Sequence, residues 1–354
     1  MLPNNPPSQT DGQTSAAAEN DSTRTNTICL TPVRNESWII RTHVDAAKQW
    51  ASHIIIADQR STDGTRVYLQ KCPSVDCILN DLDTYDEEHR QKLLVGRARE
   101  IPGKRILIGL DADEAFSANA TETEDWQKIL AAPPGTVLSF RWVNVLPGFE
   151  RAWIPPNRIA LGYVDDGVEH QGKKIHSARV PRREGAPILE LNQIVVLHFQ
   201  YIIWERMLSK QRWYQAWEHL KHRAKGPLDI YRQYNHMHGA WKESEIEPMK
   251  PEWMAGYDRT GVGYRQLKGE EITWWDREIL QMIEEHGPEF FRKIAIWDKD
   301  WIRLAETLGI NADNVKDPRS WFEKKAHHFL QKTQSHRETW TTRALERILR
   351  SAGW

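Results

Sequence analysis

The sequence has few cysteines, no long apolar run and no excess of either charge. Its 354 residues include three Cys, an odd number that argues against a disulfide framework. No run approaches the roughly 18 apolar residues that a membrane-spanning helix needs. The net charge of −1 provides no overall basic field for nucleic acid. We therefore expect no nucleic-acid partner, no transmembrane segment and a cytoplasmic location. A peripheral position at the inner membrane face and an oligomeric state are left open.

Apolar runs and helical patterns alternate in the first half of the chain. Residues 1–26 are rich in Asn, Pro, Ser and Thr and predict a disordered tail. The strand–helix alternation that follows predicts an α/β fold with a Rossmann-like, mostly parallel sheet flanked by helices. Residues 27–203 are predicted to form this α/β domain. Residues 204–354 are predicted to form a mainly helical C-terminal extension.

A buried strand with carboxylates at its end carries the main functional prediction. Residues 105–110 (Arg-Ile-Leu-Ile-Gly-Leu) are followed at once by Asp111, Asp113 and Glu114. A continuous apolar run is typical of a strand buried on both faces, and ligands bind at the carboxyl ends of strands in open α/β sheets. Asp111 and Asp113 can face one hard cation, which predicts a site for Mn²⁺ or Mg²⁺ carrying substrate phosphates. An acidic turn that caps a helix is the alternative.

Two earlier strands end in polar side chains at the same predicted edge of the sheet. Residues 31–36 read Thr-Pro-Val-Arg-Asn-Glu, and Asp58 follows the second strand. The first loop can offer donors to a ribose or a base, and Asp58 can accept the N3–H of a uracil or an amino group of another base. Helix caps at Asn35 and Glu36 and an Asx turn at Asp58 are the structural alternatives. The joint arrangement on successive strand ends favours nucleotide binding.

These three motifs resemble the nucleotide-sugar-binding half of family 2 glycosyltransferases, which have the GT-A fold. The resemblance covers residues 27–115 and keeps T-P-V-R-N-E, I-I-I-A-D and D-A-D in the family's order. It implies a donor site for a nucleotide-diphosphate sugar, in which Asp58 binds the base and Asp111 and Asp113 bind the metal. The other residues predicted to contact the donor are Thr31, Pro32, Arg34, Glu36 and Arg90.

The later part of the chain is similar to family 2 enzymes that glycosylate bacterial cell-surface glycans. The similarity rests on K-I-H-S at 174–177, V-L-H-F at 196–199 and S-K-Q-R-W-Y at 209–214. It implies that His198 completes the metal site or contacts the diphosphate. Lys210 is predicted to contact the donor as well, although a lysine on an apolar helix face either reaches solvent or meets an anion.

The predicted acceptor side departs from that family pattern at one position. Ser177 stands where the pattern has Glu after its first His, and an inverting transfer needs a carboxylate general base. The nearest replacements, in our order of preference, are Asp166, Asp165 and Glu169. The residues predicted to contact the acceptor are His176, Trp142 and Trp153, the two Trp as stacking platforms.

The sequence therefore predicts a metal-dependent glycosyltransferase with a nucleotide-diphosphate sugar donor, UDP-sugar favoured, and a glycan or small-molecule acceptor. A nucleotidyltransferase is one alternative, but it would normally have a Gly-rich, basic first loop, and residues 31–36 contain no Gly. A non-catalytic binding or interaction module with a GT-A fold is the other alternative. Ser177 leaves that interpretation open, whereas intact Asp111 and Asp113 argue against it.

Overall fold

The computed structural model describes residues 24–84, 86–174, 177–239 and 245–354. Residues 1–23 of the predicted tail lie outside the described residues, and the first strand already begins at Thr25. The chain divides into two compact units. The first is Met1–Val143, Pro155–Phe199 and Lys250–Leu267, and the second is Asn144–Ile154, Gln200–Met249 and Lys268–Trp354. The units are interleaved along the chain, whereas the sequence predicts consecutive domains.

The described strands and helices are numbered in chain order. The strands are β1 (Thr25–Val33), β2 (His53–Asp58), β3 (Asp76–Leu79), β4 (Lys104–Gly109), β5 (Glu114–Phe116), β6 (Val137–Val145), β7 (Arg151–Trp153), β8 (Arg158–Val164), β9 (Ile188–His198) and β10 (Ile246–Pro248). The helices are α1 (Ile40–Ala47), α2 (Thr65–Lys71), α3 (Glu87–Ala98), α4 (Glu124–Ala131), α5 (Trp204–Lys221), α6 (Pro227–Tyr234), α7 (Glu252–Thr260), α8 (Trp274–His286), α9 (Trp301–Leu308), α10 (Trp321–Lys332) and α11 (Trp340–Ser351).

Four parallel strands form the part of the first unit that positions the candidate site. Their order is β4-β1-β2-β3, and the register pairs Leu30 with Gly109 and Val33 with Asp58. On the other side of β4, strand β8 runs antiparallel to β4, and β6 runs antiparallel to β8. Strand β5 pairs with β9. The predicted fold class is confirmed: the protein is α/β, with parallel central strands flanked by helices. The carboxyl ends of β1, β2 and β4 therefore meet at one edge, which we call the carboxyl edge.

Apolar burial on both faces explains why these segments form strands. The side chains of Ile106, Leu107 and Ile108 in β4 are almost wholly inaccessible, as expected for a parallel strand covered on both sides. Leu107 packs with Ile28 and Leu30 of β1 and with Leu94 of α3. Helix α3 starts with an Asp86 cap, whose carboxylate accepts the backbone N–H of His89. Core packing thus fixes α3 along the strands that carry the site.

The second unit is mainly helical, as predicted for the C-terminal part of the chain. A core cluster of this unit joins α5 and α6 to α8 and α9 and includes Trp213, Trp275, Trp297 and Trp301. These tryptophans therefore supply core packing. Strand β7 pairs in this unit with β10 and with the last residues of β6.

The segment 225–272 contains more structure than its Gly and Pro content indicates. It includes α6, α7 and β10, and residues 250–267 belong to the first unit. There Tyr257 donates its hydroxyl hydrogen to the carbonyl of Phe116 at 2.6 Å, and the Ala118 N–H donates to the Trp253 carbonyl. In the described part of the chain, no helix is long and apolar enough to cross a membrane.

Candidate functional site

The turn after β4 brings Asp111, Asp113 and Glu114 together at the carboxyl edge. The Glu114 N–H donates to the Asp111 carbonyl at 3.0 Å, and the Phe199 N–H donates to the Asp113 carbonyl at 2.7 Å. The two aspartates differ in exposure, since the Asp111 side chain is 42% exposed and that of Asp113 only 11%. The turn is therefore tied to β9, and it presents one accessible and one largely buried carboxylate.

His198 lies beside Asp113, as the sequence predicts. Its Nε2 atom is 3.6 Å from Asp113 Oδ2, and its ring stacks on that of Trp142 with centroids 4.6 Å apart. Trp142 also donates its indole N–H to Glu114 Oε1 at 3.1 Å. The structure thus places Trp142 against His198, where its ring is committed to a stacking contact within the protein.

Glu114 is a fully buried carboxylate with three donors. It accepts hydrogen bonds from the backbone N–H of Asp111, from Trp142 and from the guanidinium of Arg179. Burial raises the pKa of Glu114, nearby Asp111 raises it further, and Arg179 opposes both effects. A buried carboxylate of this kind needs a partner of opposite charge, and Arg179 provides it.

Arg179 is the main residue of this site that sequence reasoning missed. Its guanidinium bridges two carboxylates, since it donates to Asp111 Oδ2 at 2.8 Å and also to Glu114 Oε2. Burial lowers the pKa of Arg179, but Asp111 and Glu114 together outweigh burial and raise it. Gly109 permits this approach, because a Cβ there would lie 2.9 Å from Arg179 Cβ. Three carboxylates within four residues signal a need for a cation, but not which arginine supplies it.

A long loop along α3 carries Arg179 to the carboxyl edge. The loop starts after β8, where the Val168 carbonyl accepts a hydrogen bond from Arg99 at the end of α3. It then reaches the start of α3, where the Ser177 N–H donates to Glu87 Oε2 at 2.7 Å. The loop therefore runs from one edge of the sheet to the other. Arg90 lies in the same first turns of α3, with its Nη2 4.0 Å from Glu87 Oε1.

Asp165 lies at the opposite end of β4 from Asp111. Its backbone N–H donates to the Arg105 carbonyl, and its buried carboxylate accepts hydrogen bonds from Arg99 and Arg105. The six residues from Arg105 to Asp111 span roughly 20 Å of strand. Asp165 thus connects β8 to α3 and β4. It lies too far from Asp111 to fit the predicted role of a general base in that site.

The other two predicted bases are also placed away from Asp111. Asp166 accepts hydrogen bonds from the Tyr163 hydroxyl at 2.6 Å and from Arg183 at 2.7 Å, next to Asp165. Glu169 is exposed and lies 3.9 Å from Lys92 on α3. Their position in the sequence before Ser177 suggested proximity to the site, but the loop is long enough to separate the two ends. We therefore assign the base role to none of the three.

Asp58 ends β2 with a carboxylate that is only half satisfied. Its Oδ2 accepts hydrogen bonds from Arg66 Nε at 2.5 Å and from the Ser61 N–H at 3.3 Å. Within the described part of the chain, its buried Oδ1 has no hydrogen-bond partner, and neither has Nη2 of Arg66. A buried polar atom without a partner costs about 1–3 kcal/mol. Such atoms are uncommon in proteins and call for an explanation.

The first loop, residues 34–37, has its backbone donors already occupied. The N–H groups of Asn35, Glu36 and Ser37 donate to Ser61 Oγ, Thr65 Oγ1 and Asp63 Oδ2 at 2.8, 2.9 and 2.8 Å. Glu36 itself accepts the indole N–H of Trp38 at 2.6 Å. The loop is therefore braced by the segment that follows Asp58. Its backbone has no N–H left at these three positions for a phosphate.

Thr31 and Pro32 sit inside the sheet rather than in an open loop. Both are buried in β1, and Pro32 stands opposite Ala57. Thr31 donates its hydroxyl hydrogen to His43 Nε2 at 2.9 Å, and His43 Nδ1 donates to the Glu114 carbonyl at 3.1 Å. Burial lowers the pKa of His43 to about 4, so this imidazole is neutral near pH 7. Thr31 thus supports the acidic turn through His43.

The remaining predicted residues fall elsewhere. His176 lies outside the described residues. Trp153 and Lys210 belong to the second unit, where Trp153 donates its indole N–H to Glu245 at 2.9 Å and Lys210 Nζ lies 5.9 Å from the Trp275 ring centroid.

The fit of a divalent cation rests on two residues, Asp113 and His198. No group of three or more His, Cys, Asp or Glu residues in the described ranges is arranged to hold a metal ion, and Asp111 is paired with Arg179. Mg²⁺ and Mn²⁺ bind with one or two protein carboxylates when substrate phosphates and water fill the other positions. Asp113 and His198 are therefore chemically suitable ligands, and the two retain the predicted proximity.

No protein-family model and no curated protein matches the chain. Among solved structures, similarity was found to mannose-1-phosphate geranyltransferase from Thermus thermophilus, with 16% identity over 41% of this chain and 50% of that chain and a TM-score of 0.27. HddC from Yersinia pseudotuberculosis gives 11% identity, 49% and 93% coverage and a TM-score of 0.29. A "Putative Glucose-1-Phosphate Thymidylyltransferase" from Bacillus anthracis, in complex with sucrose, gives 12% identity over 70% of this chain and 98% of that chain. Its TM-score is 0.28. At such TM-scores these likenesses carry no argument about activity.

Replacement of Asp165 by Asn should destabilise the protein. Hydrogen bonds from Arg99 and Arg105 outweigh burial and lower the pKa of Asp165. We expect the free energy of unfolding in urea at pH 7 to fall by about 2 kcal/mol, less than for a fully buried pair because both arginines touch water. The difference from wild type should fade as the pH falls below about 4, where the carboxylate starts to protonate. An unchanged free energy of unfolding in the Asp165→Asn protein would contradict this structural role.

Gly109→Ala should push Arg179 out of position. The new Cβ would lie 2.9 Å from Arg179 Cβ and 3.2 Å from its carbonyl oxygen, so we expect a loss of about 1–3 kcal/mol in urea unfolding. Gly96→Ala in α3 is the matched control, because a Cβ there meets nothing within 4 Å and Ala favours a helix by about 0.5–1 kcal/mol. Equal stabilities of the two variants would rule out the tight approach.

Proposed function

We propose that this protein is a metal-dependent glycosyltransferase. Its donor would be a nucleotide-diphosphate sugar, with UDP-sugar favoured, and its acceptor the hydroxyl of a glycan or a small glycoconjugate. The observation that carries the proposal is the placement of two acidic groups at the carboxyl edge. Asp58 and the turn with Asp111 and Asp113 end strands β2 and β4, which flank β1 on either side. Ligands bind at this edge in open α/β sheets.

The unpartnered atoms at Asp58 favour a base that both donates and accepts. Asp58 Oδ1 requires a donor, and the neighbouring Arg66 Nη2 requires an acceptor. The N3–H of uracil and the adjacent carbonyl oxygen supply such a pair of groups. A base bound there would satisfy both buried atoms, and the free energy lost in the unbound protein would be regained on binding.

The leaving diphosphate would meet cationic groups at the turn after β4. Asp113 and His198 would hold Mn²⁺ or Mg²⁺, which when bound neutralises charge on the diphosphate. Arg179 is a second source of positive charge, held rigid by Asp111 and Glu114. Preorganised donors of this kind stabilise developing charge without the cost of reorientation. The proposal therefore assigns Arg179 to the diphosphate, alongside the residues predicted from the sequence.

A nucleotidyltransferase is less consistent with the first loop. Recognition of a triphosphate commonly uses backbone N–H groups of a glycine-rich loop. Here the N–H groups of Asn35, Glu36 and Ser37 are bound to side chains of residues 61–65. A non-catalytic module would keep the base site at Asp58 and the Arg179–Glu114 pair, but it would turn over no donor. Analysis of the reaction products distinguishes both alternatives from the proposal.

The proposal is tested by combining a thermal-shift screen with product analysis. We expect a UDP-sugar to raise the Tm, and to raise it further with Mn²⁺, because a ligand stabilises by RT ln(1 + [L]/Kd). UDP should appear when sugar is transferred or hydrolysed. Asp113→Asn should abolish the Mn²⁺-dependent part of the shift while leaving the metal-free shift with UDP. Equal shifts with and without Mn²⁺ would contradict the metal assignment.

The same assay distinguishes the alternatives. Pyrophosphate release from UTP and a sugar 1-phosphate would identify a nucleotidyltransferase. Binding of UDP-sugar without turnover of any acceptor or water would identify a binding module. Asp58→Asn keeps the size of the side chain but replaces one acceptor oxygen by a donor, so UDP affinity should fall by about tenfold or more.

Arg179→Met should weaken the contact with the diphosphate. Loss of a charge-assisted hydrogen bond to a phosphate in a preorganised site should reduce kcat for a UDP-sugar by about 100-fold. UMP, which lacks the second phosphate, should bind with nearly unchanged affinity, and this also reports that the site is folded. Arg179→Lys should recover part of kcat, because lysine restores the positive charge but cannot form the bidentate hydrogen bonds of a guanidinium. Equal losses for UMP and UDP would indicate a purely structural role.

A further inference from the structure

Helix α11 exposes a stripe of large apolar side chains. Trp340 is 81% exposed and Ile348 61%, and with Ala344 between them they recur every four residues, so they share one helix face. Leu345 is exposed next to this stripe. The stripe spans about 12 Å along the helix. We call these three residues together with the adjacent Leu345 the C-terminal apolar stripe.

The C-terminal segment that carries this stripe has an excess of positive charge. Residues 319–354 contain eight Lys or Arg and three Asp or Glu, although the whole chain carries a net charge of −1. Arg343 and Arg347 are exposed and lie one turn apart beside the stripe on the same helix. Helix α10 repeats the pattern, since Trp321 is 74% exposed and Lys325 Nζ lies 5.8 Å from its ring centroid. Exposed tryptophan therefore occurs together with basic side chains on both helices.

The opposite face of α11 is firmly attached to the rest of the second unit. Leu349 and Trp354 are buried in a cluster with Leu228 and Tyr231 of α6. Arg350 forms two hydrogen bonds with Asp229, at 2.9 and 2.6 Å, and Glu346 pairs with Arg232 at 2.7 Å. The helix therefore cannot turn its apolar stripe inward without losing these contacts. The exposure of Trp340 and Ile348 is a property of the packed helix.

We propose that the C-terminal apolar stripe binds the surface of a bilayer that contains anionic lipid. A helix that lies in the membrane interface places Trp and Leu or Ile among the acyl chains and Arg or Lys at the headgroups. Arginine side chains beside the stripe can reach the headgroups while their methylene groups cover apolar surface. The excess of basic residues in 319–354 complements an anionic surface and does not complement another copy of the same segment. This inference does not depend on the proposed function.

Vesicle cosedimentation of the full-length protein tests the proposal. Phosphatidylcholine vesicles, with and without phosphatidylglycerol, serve as the probe. We expect the wild type to bind only the vesicles with phosphatidylglycerol, and less at high salt, where headgroup attraction is screened. Trp340→Gln combined with Ile348→Gln should reduce binding by about tenfold or more. Because both side chains are exposed, the Tm should stay close to that of the wild type.

Ile188→Gln is the matched control. Ile188 is also 61% exposed, but it lies in the first unit and outside the basic segment. Its replacement should leave vesicle binding unchanged. Arg343→Gln combined with Arg347→Gln should weaken binding and its salt dependence, which provides a second test if the apolar variant folds poorly.

Three results would overturn the proposal. Wild-type protein that does not sediment with anionic vesicles would exclude it. So would equal binding by the wild type and the Trp340→Gln, Ile348→Gln variant. A halving of the solution mass in that variant, measured by light scattering, would show that the stripe is covered by a second copy of the chain instead.

Discussion

A buried negative charge at the end of β4 organises the candidate site. Glu114 is enclosed by protein, so its carboxylate is stable only while Arg179, Trp142 and the Asp111 N–H donate to it. Breaking a buried ion pair by removing one partner typically costs about 3–5 kcal/mol. The turn that carries Asp111 and Asp113 is thereby coupled to β6, to β9 and to the loop before Arg179. A substitution in any of these segments should therefore change the position of the Asp111 and Asp113 carboxylates.

The loop between β8 and Arg179 links two ion clusters at opposite ends of the same strand. At one end Asp165 binds Arg99 and Arg105, and at the other Arg179 binds Asp111 and Glu114. The carboxylate of the first cluster is buried between its two arginines and serves stability. The second cluster includes the exposed Asp111 and can exchange contacts with a ligand. One loop therefore has a structural cluster at one end and the candidate site at the other.

The loop after β1 and the end of β2 differ in how far their polar groups are satisfied. The N–H groups of residues 35–37 all have side-chain acceptors, and these bonds brace the loop. Among the described residues, Asp58 Oδ1 and Arg66 Nη2, which belong to the same network, are buried without partners. A ligand, an ordered water or an ion can satisfy such groups. Other buried side chains of the described residues also have unpartnered atoms, so it is the position of this pair at the carboxyl edge that connects it with binding.

The parallel strands, and the edge at which their polar ends meet, follow from local patterns in the sequence. The runs at 53–57 and 105–110 are largely apolar, as is typical of strands covered on both faces, and right-handed strand–helix–strand connections then bring Asp58 and Asp111 to one edge. The proximity of Asp113 and His198 was predicted from the family resemblance. Three features are visible only in the folded chain: Arg179 reaches Asp111, Asp165 lies about 20 Å away along β4, and residues 250–267 return to the first unit. Periodicity reports which face of an element is buried, whereas the path of a loop depends on contacts between residues distant in sequence, and no local pattern records them.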